Sequence, residues 1–404
     1  MNEQRLRALL REVPVPEGEG AEQRGRRMVE AAFAERQPRR RSKPRRLVIA
    51  LAGATLLLAV VLSPAGAAVR DWIDETLSVG VRDAEPALTE IPGGGRLLVT
   101  SPQGSWLVRP DGSRRLLGSY DEATWSPRGL FVAAVAGHTL SAVAPDGTVR
   151  WSLSAAGPVA DPRWSPSGFR IAYRAGQSLR VVAGDGTGDG LVAGRVAAAP
   201  AAWSPLGPHV LAYVGARDEL LVVNTDTAER IGAAPAPPGT RELSWARDGS
   251  SLLAATRHSL WVYGVSAAKL RGRVDPGAPR RLFPLPAGTV VEHVAFSPRG
   301  ETVAALLSRP ASGGRPPRGE LLLIDVASGS GRVLFRAPGR LSGLAWSPDG
   351  RRLLIPWPDA DQWLFIPADG RGRVRAVGGI AAEFSPGADQ GGAHFPRLDG
   401  WCCP

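Results

Sequence analysis

The sequence predicts an all-β fold, a seven-bladed β-propeller of four-stranded antiparallel blades, closed by the C-terminal strand and preceded by one transmembrane α-helix. Three observations predict it: an aromatic-Ser-Pro-x-Gly turn, or a close variant, recurs seven times; short apolar strands follow in sets of three; and one long uncharged apolar run precedes them. The repeated aromatics are Trp125, Trp164, Trp203, Trp245, Phe296, Trp346 and Phe384, at successive spacings of 39, 39, 42, 51, 50 and 38 residues. A period near ~40 residues marks a repeat array, because one such unit cannot bury its own apolar face and must stack on its neighbours.

The turn itself has a physical rationale. In Ser126, Pro127, Arg128, Gly129 the order Ser first, Pro second and Gly fourth is that of a type I turn, the proline ring presetting φ. Residues 165–168, 204–207, 297–300 and 347–350 repeat it. Ala246, Arg247, Asp248, Gly249 lacks Ser and Pro, and Ser385, Pro386, Gly387 brings Gly forward, as a type II turn requires. The aromatic at the strand end before each turn is expected between adjacent sheets, where it buries the most area.

Between turns the chain reads as strands. Leu130 to Ala136, Thr139 to Ala144 and Val149 to Ser154 form one set, and Phe169 to Ala175, Ser178 to Ala183 and Leu191 to Val196 the next. Each run is short, rich in Val, Leu, Ile and aromatics, and bounded by Asp, Gly, Pro or Ser. The two long spacings hold Lys269 to Pro279 and Arg309 to Gly319, which have no apolar period and are expected as surface hairpin loops. The first set, Arg96 to Thr100, Ser105 to Val108 and Arg114 to Gly118, has no aromatic turn before it, and Ile380 to Ser385 has no strands after it. Pairing Ile380 to Ser385 with the first set closes a ring of seven and removes the exposed edges.

The formal charge of +11 is uneven: residues 1–46 carry 13 Lys/Arg against 7 Glu. Leu47 to Val69 is free of charge, and 23 residues at about 1.5 Å each cross a hydrocarbon layer of ~30 Å. The basic flank Arg39 to Arg46 predicts an inside N-terminus and a propeller outside, in a single-pass plasma-membrane protein. Lipid headgroups account for the basic cluster, so nucleic acid is not an expected partner. A signal peptide ending at Ala65-Gly66-Ala67 competes with the retained anchor, against a basic tail of unusual length. The expected organisation is a tail over 1–46, a transmembrane helix over 47–69, a linker over 70–93, the propeller over 94–387 and a C-terminal tail over 388–404. Cys402 and Cys403 are the sole cysteines; a vicinal disulfide, a cross-link to a partner chain and free thiols all remain open.

The repeat resembles that of TolB-like, WD-repeat-like propellers of bacterial envelopes, on Asp161-Pro-Arg-Trp-Ser-Pro-Ser-Gly168 and Leu344-Ala-Trp-Ser-Pro-Asp-Gly350, over residues 94–387. No Trp-Asp dipeptide closes any blade, and residues 70–93 are too few for the α/β domain that precedes the propeller in TolB.

Propeller sites gather over the central channel, so the residues entering each inner strand are the candidates. Three positions before the aromatics stand Glu122, Asp161, Pro200, Glu242, His293, Gly343 and Ala381. Glu122, Asp161, Glu242 and His293 would converge at one channel mouth, where an oxygen-rich set could hold a divalent cation or a cationic ligand. The competing expectation is that they hydrogen-bond backbone between blades. Asp185 and Asp189 in the Gly184 to Gly190 run form a faint calcium-loop pattern, but Val196 stands where that loop needs Glu, and a hairpin turn accounts for them better. The cysteines lack zinc-ligand spacing, and no G-x-S-x-G elbow, HExxH, phosphate loop or dinucleotide fingerprint occurs. No catalytic residue, metal ligand or cofactor is therefore assigned. The expected function is binding of a protein, glycan or small ligand on the propeller face. A metal-dependent hydrolase or lyase, and a signalling protein coupled through the N-terminal tail to a cytoplasmic partner, are the alternatives.

Overall fold

The computed structural model describes residues 87–207, 209–268, 273–312, 316–386 and 393–403. Seven antiparallel sheets follow one another along the chain. Blade 1 pairs Arg397–Cys402, Arg96–Ser101, Gly104–Val108 and Arg114–Gly118; blade 2 runs from Glu122–Trp125 to Val149–Ser154; blade 3 from Val159–Trp164 to Gly190–Ala193. Blade 4 runs from Ala202–Trp203 to Arg230–Pro235, blade 5 from Thr240–Trp245 to Arg280–Phe283, blade 6 from Val290–Phe296 to Gly331–Pro338, and blade 7 from Ala345–Trp346 to Arg375–Gly378. The first strand named for each blade is the innermost, and consecutive inner strands touch around the ring.

Each blade is sandwiched between two others, so both faces of its middle strands are apolar and the sequence reads as continuous apolar runs. Alternate side chains then feed different cores. Leu252 and Ala254 pack towards blade 4, whereas Leu253 and Ala255 pack towards blade 6. Leu354 faces blade 1, and Leu353 and Ile355 face blade 6. Seven apolar clusters result, one for each pair of neighbouring blades, including blade 7 with blade 1. The ring is therefore closed by packing as well as by strand pairing.

The aromatics occupy the expected place. Trp125, Trp164, Trp203, Trp245, Phe296 and Trp346 each join the cluster between their own blade and the preceding one. The serine that follows holds its turn twice over. Ser165 accepts the Gly168 N–H on its carbonyl at 2.9 Å and the Arg170 N–H on its hydroxyl at 3.1 Å, and Ser347 does the same with Gly350 and Arg352. Gly168 and Gly350 sit at φ 79° and 70°, where a Cβ would be strained.

The seventh copy differs. Ile380–Glu383 is a single helical turn, and the strand that completes blade 1 is Arg397–Cys402, inside the segment read as a tail over 388–404. Gly379 at φ 73° turns the chain out of the sheet, and the Asp361 carboxylate accepts the Ala381 N–H at 2.7 Å. Trp401 takes the inter-blade position expected of Phe384, while Phe384 lies in the same core, edge-on to Trp106 at 5.8 Å. Gly387 lies outside the described residues. At the other end Leu88 and Ile91, expected in the linker, are buried in the core between blades 7 and 1.

One expected surface loop is also corrected. Leu260–Ala268 continues past the blade and pairs with Arg273–Pro276, within the Lys269 to Pro279 segment, because Val265 to Ala268 offers a second set of ladder groups. In blade 6 the strands Thr302–Arg309 and Arg318–Asp325 lengthen the hairpin and shorten the loop between them. Among the described residues no helix is long and apolar enough to cross a membrane. The tail 1–46, the helix 47–69 and the linker up to residue 86 lie outside the described residues.

Candidate functional site at the channel mouth

Inner strands present alternate side chains to the central channel, so residues three and one before the aromatic share a face. The structure places Glu122, Asp161, Glu242 and His293 on the inner strands of blades 2, 3, 5 and 6. Pro200 and Gly343 precede the inner strands of blades 4 and 7, and Ala381 lies on the helical turn, away from any inner strand.

Backbone stitching is their first observed use. The Glu122 carboxylate accepts the Asp161 N–H of the next blade at 2.9 Å, and Glu242 accepts the Val294 N–H of the next blade at 3.3 Å. Asp161, held at φ 55°, takes Arg174 Nε at 2.6 Å. Blade 1 contributes in the same way through Arg397, which donates to the Asp121 carbonyl at 2.9 Å and to Asp399 at 2.8 Å. Asp399 also accepts the Thr100 hydroxyl at 2.5 Å.

Arginines neutralise much of the acid. Arg163 lies 3.9 Å from Glu122 and also acts on Glu242, and Arg397 acts on Glu122 and on His293. Among the described residues no three His, Cys, Asp or Glu side chains are grouped so as to hold a metal ion. The oxygen-rich cation pocket anticipated from the candidates is thus an interleaved set of carboxylates and guanidiniums. Arg163, Arg397 and Asp399 stand outside the position three before each repeat aromatic, so the repeat offset does not reach them. Arg163, two residues beyond Asp161, was findable from strand alternation alone. Arg397 and Asp399 were not, since their strand has no repeat turn after it.

Burial shapes the titration of the set. It pushes Glu242 up to about 7, against the opposing pull of Arg163 and the Val294 N–H. Asp399 is pushed up to about 6 by burial, although Arg397 and Thr100 favour its anion. Burial also raises Glu122 and lowers His293. Yet His293 is open to solvent and Glu242 is only partly covered. Enclosure by protein together with access to water is what a solvent-filled channel gives its lining groups, and that water weakens the desolvation.

Asp185, Asp189, the two cysteines and two further histidines have structural roles. Asp185 accepts the N–H and hydroxyl of Thr187, and Asp189 binds Tyr173 and Arg180, as a hairpin turn requires. His258 meets the Thr289 carbonyl at 2.9 Å, and His209 meets Asp226 at 2.8 Å. Cys402 and Cys403 are joined in a vicinal disulfide that lies against the Ser126 to Gly129 turn of blade 2.

Closed ring, inter-blade aromatics and polar channel together define a seven-bladed β-propeller, an architecture commonly used as a binding scaffold. Solved structures of the same architecture are similar to it. The Cps50 (Swd1) β-propeller domain of Myceliophteria thermophila matches at 16% identity and TM-score 0.52, covering 68% of this chain and 95% of that one. A chain of the mitotic checkpoint complex matches at 17% and 0.50, covering 70% and 91%. A putative 6-phosphogluconolactonase from Bacteroides uniformis matches at 14% and 0.51, covering 70% and 95%. At such identities the likeness establishes the fold alone. No protein-family model and no curated protein sequence matches the chain.

Proposed function

We propose that this chain is a membrane-anchored binding module of the TolB-like type, held by residues 47–69 with its propeller outside the plasma membrane. The ligand, an envelope protein, glycan or small molecule bearing amine or hydroxyl donors, docks at the channel mouth. The observation that carries this reading is the placement of Glu242 and His293 on the touching inner strands of blades 5 and 6. The Val294 N–H brings the Glu242 carboxylate beside the His293 segment; both side chains are reached by water, and neither has an ion-pair partner among the described residues. Such a site offers acceptors and a neutral imidazole on a rigid wall, and loops and channel rims of rigid scaffolds are where binding residues gather. The uncharged length of residues 47–69 and their basic flank support the anchor.

Two measurements test the proposal. A periplasmic-type phosphatase reporter fused after the propeller is expected to be active, and an inactive fusion with an active cytoplasmic reporter at the same point defeats the orientation. Cross-linking of the full chain in cell envelopes is expected to give a saturable adduct that is lost in Glu242→Gln combined with His293→Ala. An adduct that persists unchanged places the ligand elsewhere.

A further inference from the structure

Away from the channel, the turn side of blades 6 and 7 forms an open cleft of about 1000 Å³. Six arginines line it: Arg299, Arg332, Arg351, Arg352, Arg371 and Arg373. Four acids share the lining, Glu301, Asp325, Asp349 and Asp369, but three of these are committed to their own turns. Asp325 accepts from the N–H and hydroxyl of Ser328, Asp349 from Ser347 and the Arg351 N–H, and Asp369 from the Arg371 N–H. Arg332 spends one nitrogen on the Ala368 carbonyl at 2.7 Å, and Arg351 reaches Asp349 at 4.0 Å. The side chains of Arg299, Arg352, Arg371 and Arg373 have no ion-pair partner among the described residues.

Six guanidiniums against four carboxylates leave the lining of this concave space with a net charge of +2, which an anionic ligand offsets. Guanidiniums offer flat pairs of donors that match the oxygens of carboxylate and phosphate. A carboxylate satisfies one such fork, whereas a phosphate group, with three terminal oxygens, accepts from two arginines at once. The net charge of +2 is balanced by one phosphate monoester, which carries about −1.5 to −2 at neutral pH. The cavity is also at the upper end of the ~300–1,000 Å³ expected for small-molecule sites.

We infer that the cleft between blades 6 and 7 is a binding site for a phosphate-bearing ligand, gripped by Arg299, Arg352, Arg371 and Arg373. This site is separate from the channel mouth, and its existence does not depend on what the channel binds.

The test uses the full chain in detergent micelles, titrated calorimetrically with inorganic triphosphate. Saturable one-to-one binding is expected, weakening as salt rises because exposed charges are screened. Arg371→Ala combined with Arg373→Ala removes two exposed loop side chains and is expected to weaken binding by at least about tenfold. Arg150→Ala with Arg217→Ala, which removes the same charge from blades 2 and 4, is expected to leave it unchanged. A water-soluble short-chain phosphatidylinositol bisphosphate run in parallel separates the sources of the chemistry: tighter binding than triphosphate assigns a lipid headgroup, weaker binding a free phosphate ester. The inference is overturned if triphosphate does not saturate the chain, if the two double variants weaken it equally, or if citrate binds as tightly as triphosphate.

Discussion

The indole Nε1 of Trp245 donates to the carbonyl of Ala202, the residue just before the aromatic of the preceding blade, at 3.1 Å. Trp203 does the same to Arg163 at 2.8 Å, and Trp346 to Ala295 at 3.2 Å. Trp203, Trp245 and Trp346 therefore both fill the inter-blade core and tie neighbouring inner strands together, whereas Trp125 and Trp164 fill the same position with the indole nitrogen unpaired. Phe296 fills the same position without a donor.

Trp245→Phe separates the two roles. It keeps the ring in the core and leaves the Ala202 carbonyl without its partner, so a loss of roughly 1–2 kcal/mol is expected. Trp245→Ala also opens a cavity and is expected to cost roughly 3–5 kcal/mol. Urea unfolding followed by far-ultraviolet circular dichroism gives both values, and a Trp245→Phe variant as stable as the parent would show that the hydrogen bond contributes nothing.

Ring closure depends on the last strand. A chain ended after Gly387 keeps every copy of the sequence repeat but loses Arg397–Cys402, so Arg96–Ser101 becomes an exposed edge. Aggregation or a markedly lower unfolding midpoint is expected, read by gel filtration and thermal melting. Monomeric, fully stable protein would mean that blade 1 does not need its fourth strand.

Residues before the first strand belong to the folded ring. Gly112 adopts φ 76°, and a Cβ there would lie 2.1 Å from the Leu88 carbonyl oxygen. Neither backbone can move without withdrawing Leu88 and Ile91 from the core between blades 7 and 1. Gly112→Ala is expected to destabilise by roughly 2 kcal/mol or more. Limited proteolysis near residue 88 should then accelerate, whereas Gly137→Ala, at a positive φ with open space around it, should leave that site protected.

Stability is expected to fall as pH rises across the range in which Glu242 and Asp399 ionise. Glu242 holds its proton up to about 7 in the folded protein against 4.5 in the unfolded chain, and Asp399 up to about 6 against 3.8. Between each pair of values the folded state binds more protons, so deprotonation favours unfolding and the penalty is complete above the folded value. For Glu242 the effect is on the order of 1–3 kcal/mol, the lower end reflecting water in the channel. Glu242→Gln stays neutral and should flatten the profile between about pH 5 and about pH 8, measured by urea midpoints. An unchanged slope would assign the pH dependence to other groups.

Local chemistry wrote much of the fold into the chain. The Ser-Pro-x-Gly turns, the apolar runs and the aromatic before each turn follow from φ preference, strand alternation and area burial, and they give blades 2 to 7 almost strand for strand. Glu122, Asp161, Glu242 and His293 could be placed on inner strands because they keep a constant offset from a visible landmark. What tertiary structure alone decided lies where two segments distant in sequence meet. Phe384-Ser-Pro has the repeat's residues but not its partner strand, because Gly379 redirects the backbone and Arg397–Cys402 pairs with Arg96–Ser101 instead. Arg397 and Asp399 enter the channel by that same pairing, and the arginine cleft arises from loops spread between Arg299 and Arg373, brought together by the stacking of blades 6 and 7. Turn and strand preferences act over a few neighbouring residues; which sheet completes the circle, and which charges share one space, is set by the packing free energy of the whole ring.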